Sequence, residues 1–211
     1  MATFFHEIGH TISAWFYGYP TIPMFDFQNG GGLALSISDQ QIIIIISIWA
    51  AIAYGIYIFQ ENNILKTLLI MALIMNISFI FTDHHLIIIN FTGPLFESLI
   101  GSYMIYRALF NLAPRGSFER FLNSFFGFGL IFQVFVESYG LLKSYSFRLM
   151  YYEQKESHGF GDFDKIANSL QFIGFNGVVY IWIFLNIICL AVPFIVYLMK
   201  KENSELNKHD Y

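Results

Sequence analysis

The segment Phe4-Phe5-His6-Glu7-Ile8-Gly9-His10, near the start of the chain, contains the pattern H-E-x-x-H. On a helix with 3.6 residues per turn, His6 and His10 lie one turn apart on one face, where both imidazoles can reach a single zinc ion. Glu7 lies beside them, and a carboxylate there can take a proton from metal-bound water. The segment therefore predicts a zinc-binding helix with Glu7 as the general base.

Two other interpretations of this pattern stay open at the level of sequence. The two histidines can be satisfied by hydrogen bonds alone, or they can bind zinc without catalysis, because hydrolysis needs a third ligand and an open position on the metal. With six histidines and fifteen acidic residues in 211, the pattern is expected by chance roughly 0.01 times per chain. Coincidence is therefore a weak explanation.

The composition is that of a membrane protein. Hydrophobic residues make up 56% of the chain and charged residues only 12%, which makes the bilayer its natural solvent. The net charge is −4 and the chain has no basic patch, so nucleic acid is not an expected partner. The expected partners are the lipid bilayer and either a transmembrane protein substrate or another subunit of a membrane complex.

Apolar runs predict an all-α polytopic protein with about six membrane helices in one domain over residues 1–211. The first helix, residues 3–18, is short for a span of about 20 residues. Five longer runs follow, and a charged tail occupies 199–211. The third run contains Asn90, Gly93 and Pro94, which predicts a broken helix. The five runs cover residues 41–59, 64–82, 86–110, 121–142 and 176–199.

The glycines Gly30, Gly31 and Gly32 form a turn signal, and Leu33 and Leu35 alternate with small residues after it. This pattern predicts a short strand or hairpin. At membrane depth such backbone would be re-entrant and line a cavity; an ordinary surface loop is the other interpretation. As a strand, these five residues are candidates for binding an extended substrate by β-addition.

A third zinc ligand is expected among ionisable residues in or near the membrane segments, because such residues are costly to keep there without a partner. Glu97, in the third long run, is the first choice. Asp83-His84-His85 is the second cluster, from which His84 or His85 can contribute. The third possibility is His158 with Asp162, in the polar segment between the last two runs.

Positive charges favour one orientation in the membrane. If six segments cross the membrane in alternating directions, both termini lie on the same side. That side holds more lysines and arginines than the other, so both termini are expected in the cytoplasm. We expect an integral multi-pass protein of a bacterial inner membrane. The two sets are Lys66, Arg115, Arg120, Lys200, Lys201 and Lys208 against Lys143, Arg148, Lys155 and Lys165.

A multi-pass chain whose first helix carries H-E-x-G-H, followed by a glycine-containing stretch, resembles the site-2-protease-like intramembrane zinc metalloproteases. The resemblance is closest over residues 3–18 and extends through 19–38. Over 90–101 the chain has an Asn, a Pro, an acid and a Gly in the family's order. The spacing there differs, and Glu97 replaces the family's Asp-Gly pair.

The resemblance implies that His6 and His10 bind Zn²⁺, that Glu7 is the general base and that a later acid is the third ligand. The expected function is hydrolysis of peptide bonds in membrane-embedded substrates, with Glu7 activating zinc-bound water. The alternative is a catalytically inactive protease-like membrane protein that acts as a scaffold, a sensor or a subunit of a membrane complex.

Overall fold

The computed structural model describes residues 2–26, 31–156 and 161–209. This part of the chain is mostly helical, with one two-stranded antiparallel sheet after the first helix. In chain order the elements are α1 Ala2–Phe16, β1 Thr21–Asp26, β2 Gly31–Ser36, α2 Ile42–Ile58, α3 Asn63–Ile80, α4 His84–Leu109, α5 Ser117–Lys143, α6 Tyr145–Glu156, α7 Asp162–Ser169 and α8 Gly174–His209.

Four of the described helices, α3, α4, α5 and α8, are long and apolar enough to cross a membrane. Helix α2 is apolar but has only 17 residues, and α1 has 15. At 1.5 Å per residue these two helices are about 26 and 22 Å long, short of a hydrocarbon layer of about 30 Å. Length and composition therefore support a membrane protein with four candidate spans among the described residues.

The chain divides into two compact units, which separate between Gly93 and Pro94 within α4. The prediction of a helix broken at these residues is wrong, because α4 continues through Pro94 to Leu109. Proline lacks an N–H group, so it removes the helical hydrogen bond to the carbonyl of residue 90 but leaves the rest of the ladder in place. The two units are referred to below as unit 1, residues 3–93, and unit 2, residues 94–211.

In unit 1, helix α1 ends before the prolines that follow it. Gly18 has a positive φ of 87°, a conformation that glycine adopts at little cost. Its N–H donates to the Trp15 carbonyl, and the N–H of Tyr19 donates to the Ala14 carbonyl, both at 2.9 Å. This is the hydrogen-bond pattern of a Schellman C-cap, and it turns the chain out of α1 into the hairpin.

Asn76 connects the end of α1 to the two helices after the hairpin. Its Nδ2 donates to the Phe16 carbonyl at 2.6 Å, and its Oδ1 accepts a hydrogen bond from Trp49 Nε1 at 2.7 Å. The Asn76 side chain is fully buried. Because a buried amide is costly unless its donors and acceptors are used, this pairing fixes where α1 ends relative to α2 and α3.

The strand predicted after the glycine turn is present as β2, paired antiparallel with β1. Phe25 pairs with Gly32 and Thr21 with Ser36, so the side chains of Phe25, Thr21 and Ser36 share one face, on which Gly32 has none. That face packs on α1, where the Phe25 ring stacks on the Phe4 ring with centroids 5.7 Å apart. The opposite face is exposed and apolar, and it carries Ile22, Met24, Leu33 and Leu35.

Unit 2 is held by close helix contacts and a few polar bonds. Gly127 of α5 approaches α4 so closely that a Cβ there would lie 2.9 Å from the Gly101 carbonyl oxygen. Small residues permit such crossings in apolar helices. Asn186 Nδ2 of α8 donates to the Ile131 carbonyl of α5 at 3.1 Å, and Arg107 pairs with Glu119 at 2.6 Å.

Candidate metal centre

The two histidines of the H-E-x-x-H pattern lie together on α1, as the helical spacing predicts. Their ring centroids are 4.7 Å apart, and the ring planes are inclined by 78°. His10 is buried, with 7% of its surface exposed, and His6 is half-buried. The arrangement brings two imidazoles into one small space on a helix within unit 1.

A backbone hydrogen bond orients His10. Its Nδ1 lies 2.7 Å from the carbonyl oxygen of Ile89, on α4 and 79 residues away in the chain. A carbonyl oxygen only accepts hydrogen bonds, so Nδ1 carries the proton, and in the neutral ring the lone pair lies on Nε2. Histidines that bind metals are commonly held this way through their other ring nitrogen.

Gly93 of α4 lies against the face of the His10 ring, near Nε2. A Cβ at position 93 would come within 2.5 Å of Cε1 and 2.8 Å of Cδ2, and it would lie against Nε2. Any side chain there would overlap the imidazole, so glycine allows α4 to pack directly against the ring.

Glu7 lies under the hairpin. Only 6% of its surface is exposed, and a Cβ at Gly32 of β2 would lie 2.8 Å from Glu7 Oε1 and 2.9 Å from Cδ. The neighbouring Gly31 does not contact Glu7 in this way, because a Cβ added to it would meet no atom within 4 Å. Of the two described glycines in the turn, Gly32 is therefore the one that allows β2 to approach Glu7.

The other substrate-binding candidates also belong to this hairpin. Gly31, Gly32, Leu33 and Leu35 all lie in β2, whereas Gly30 lies outside the described residues. The two leucines point to the exposed face, away from Glu7. The strand therefore presents a small residue to the carboxylate and apolar side chains to the surroundings.

The candidates for a third ligand occupy different environments. His84 is exposed, and its Nδ1 lies 3.0 Å from Thr82 Oγ1. His85 is buried with both nitrogens engaged: Nδ1 contacts the Thr82 carbonyl, and Nε2 lies 2.9 Å from Tyr19 Oη. These bonds make His85 a structural histidine that ties α4 to the segment after α1.

Glu97 is buried in unit 2, with 6% of its surface exposed, on the helix that also carries Gly93. Asp162 is the first residue of α7. His158 lies outside the described residues.

The donor set on α1 suits zinc. Two neutral imidazoles are common zinc ligands, and a hydrogen bond from the other nitrogen of His10 to a carbonyl is the usual outer support. Glu7 is next to His6 in the chain and is buried, which suits a base that acts on metal-bound water. Two protein ligands are an incomplete zinc site, so zinc binding here would require a third ligand.

Sequence reasoning did not find the roles of Ile89 and Gly93. A backbone carbonyl has no side-chain signature, so nothing in the sequence marks Ile89 as the partner of His10. Gly93 is visible in the sequence but indicated a helix break, whereas in the structure it permits contact with the imidazole.

No protein-family model, curated protein or solved structure matches this chain.

Proposed function

We propose that the protein is an intramembrane zinc metalloprotease in which His6 and His10 hold the metal and Glu7 is the general base. The hydrogen bond from His10 Nδ1 to the Ile89 carbonyl carries this proposal. It leaves the lone pair of the neutral imidazole on Nε2, the nitrogen that would bind a metal. The resemblance of residues 3–18 to the site-2-protease-like enzymes supports the same assignment.

Zinc bound at these histidines would supply Lewis acidity, which polarises a carbonyl and lowers the pKa of water towards neutrality. The Glu7 carboxylate would accept a proton from the attacking water and pass it to the nitrogen that leaves when the C–N bond of the peptide breaks. Burial of Glu7 beneath β2 keeps this transfer away from bulk water. The hairpin thus has two roles in the proposal: it covers the base, and its glycine allows the close approach.

For substrate binding we propose that β2 receives an extended segment of a transmembrane protein. The exposed edge and the apolar face with Leu33 and Leu35 suit an unwound hydrophobic chain, with main-chain hydrogen bonds supplying affinity. In this proposal the hairpin is re-entrant, α1 and α2 complete a set of six membrane helices, and both termini lie in the cytoplasm of a bacterium.

Glu97 is our choice for the third ligand. It is an acid buried in an apolar helix, where such groups are retained for a functional partner. His85 is not included, because both of its nitrogens already have partners. Asp162 is kept as the competing acid.

The first test is metal analysis of the purified protein after reconstitution with zinc. Wild type should bind one zinc per chain, and His10→Ala should bind far less, because it removes one of only two imidazoles. His84→Ala is the matched control, since it removes an exposed histidine from the same unit. Equal zinc in wild type and His10→Ala would overturn the assignment.

The second test separates catalysis from metal binding. Glu7→Gln keeps size and hydrogen bonding but removes the basic carboxylate, so zinc should remain while cleavage of a reconstituted transmembrane substrate falls by roughly 10² or more. If zinc is bound but wild type and Glu7→Gln are equally inert against every membrane substrate offered, the scaffold or sensor function becomes the better account.

A further inference from the structure

Helix α5 carries a polar pair on an otherwise apolar outer surface. Gln133 is exposed and its Nε2 donates a 2.8 Å hydrogen bond to Oε1 of the half-buried Glu137. The neighbouring Phe132 and Val136 are exposed apolar side chains. The pair belongs to a helix that is long and apolar enough to cross a membrane.

The pair lies deep within that helix. The apolar stretch of α5 runs between Arg120 and Lys143, and Gln133 is about 2 Å from its midpoint along the axis, with Glu137 about 8 Å away. The hydrocarbon layer extends about 15 Å to each side of the bilayer centre. An exposed glutamine at this depth would face lipid tails, which offer no hydrogen-bond partner. Amide side chains inside membranes usually hydrogen-bond to another helix.

The same face of α5 allows close approach. Gly129 is exposed one helical turn before Gln133, and a Cβ on it would meet no atom within 4 Å. A glycine beside a polar side chain is the combination that permits two membrane helices to approach and to hydrogen-bond. Gly127, by contrast, is already used within unit 2.

The chemistry of the pair indicates which partner fits. The outward member is the neutral amide of Gln133, and one of its two N–H groups is given to Glu137. An amide has both donors and an acceptor, so it is complementary to itself. All copies of a membrane protein insert in one orientation, so a two-fold axis along the membrane normal brings Gln133 of each copy to the same depth.

We propose that α5 forms a homodimer interface in the membrane, in which the Gln133 amides of two copies hydrogen-bond to each other beside Gly129. A basic residue on a different partner would be drawn to Glu137, the more buried member of the pair, and so fits this surface less well. The proposal rests on α5 as a membrane helix and not on the proposed protease activity.

The test is single-molecule photobleaching of labelled protein in phosphatidylcholine vesicles, over a range of protein-to-lipid ratios. Wild type should show two-step bleaching consistent with dimers. Gln133→Leu should raise the dimer dissociation constant roughly tenfold, and Gly129→Leu should raise it as well, because its side chain blocks close approach. Tyr139→Leu is the matched control: it is 70% exposed and lies about 120° around the helix from Gln133.

Gln133→Leu replaces an exposed side chain and should leave helix content unchanged, which circular dichroism checks. Wild type that stays monomeric at every ratio overturns the proposal, and so does a dimer that Gln133→Leu and Gly129→Leu leave intact. His10→Ala should still dimerise, so failure of the metal assignment is distinguishable from failure of this interface.

Discussion

Gly93→Ala is a sharp test of how His10 is held. The added Cβ would lie 2.5 Å from Cε1, about 1 Å short of the ordinary contact distance of 3.4 Å. A displacement of the ring by about 1 Å would move Nδ1 out of line with the Ile89 carbonyl, to which it bonds at 2.7 Å, and hydrogen bonds weaken as their geometry departs from linear. The backbone hydrogen bond that orients the imidazole would therefore be weakened.

The expected effects on folding and on zinc binding differ in size. Alanine favours a helix over glycine by about 1 kcal/mol, and overpacking costs about 1 to 3 kcal/mol, so the metal-free protein should lose at most about 2 kcal/mol of stability. Loss of a hydrogen bond behind a metal ligand typically weakens metal binding 10- to 100-fold. We therefore expect a folded Gly93→Ala variant with a clearly weaker affinity for zinc.

The assay is competition with a chromophoric chelator for zinc, with thermal unfolding measured on the same samples. Gly129→Ala is the matched control, because it adds the same methyl group to an apolar helix at a position where it meets no atom within 4 Å. Its zinc affinity should equal that of wild type. A folded Gly93→Ala protein that binds zinc as tightly as wild type would refute the placement of His10 against α4.

Gly32→Ala should reduce peptide cleavage at unchanged zinc affinity, since its Cβ would lie 2.8 Å from Glu7 Oε1, while Gly31→Ala should keep full turnover. Glu97→Ala should lower the zinc content measured by metal analysis, because two imidazoles make an incomplete site. A normal zinc content in this variant would mean that another acid is the third ligand. Burial raises the pKa of Asp164; Arg148 opposes this shift, and the neighbouring Asp162 adds to it. The folded chain thus holds that proton more tightly, and stability falls as pH rises from about 4. Relative to Asp164→Asn, the melting temperature of wild type should decline over that range, and parallel profiles would contradict the assignment.

Local patterns determined much of this protein. The one-turn spacing of His6 and His10 depends only on helix periodicity, and the structure places the two rings together on α1. Apolar runs predicted the positions of α2, α3, α4, α5 and α8, because span length follows from bilayer thickness. The strand after the glycine turn was equally predictable, since alternation over a few residues is a local signal.

Pro94 shows where local rules mislead. A proline with a nearby glycine predicted a break, yet the helix continues, because one missing hydrogen bond among those of a 26-residue helix is a limited cost. His85 shows a related limit. As a residue type it is a possible zinc ligand, but Tyr19 and the Thr82 carbonyl engage its nitrogens, and neither contact has a sequence signature.

The sequence by itself determined which side chains can bind a metal and roughly where the apolar helices lie, because both follow from spacing along a single element. Only the tertiary structure decided that the Ile89 carbonyl orients His10, that Gly93 borders its ring and that Gly32 lies over Glu7. The first of these contacts joins residues 79 positions apart. Such contacts depend on how elements pack, and a backbone carbonyl or an absent side chain leaves no pattern in a sequence from which that packing can be read.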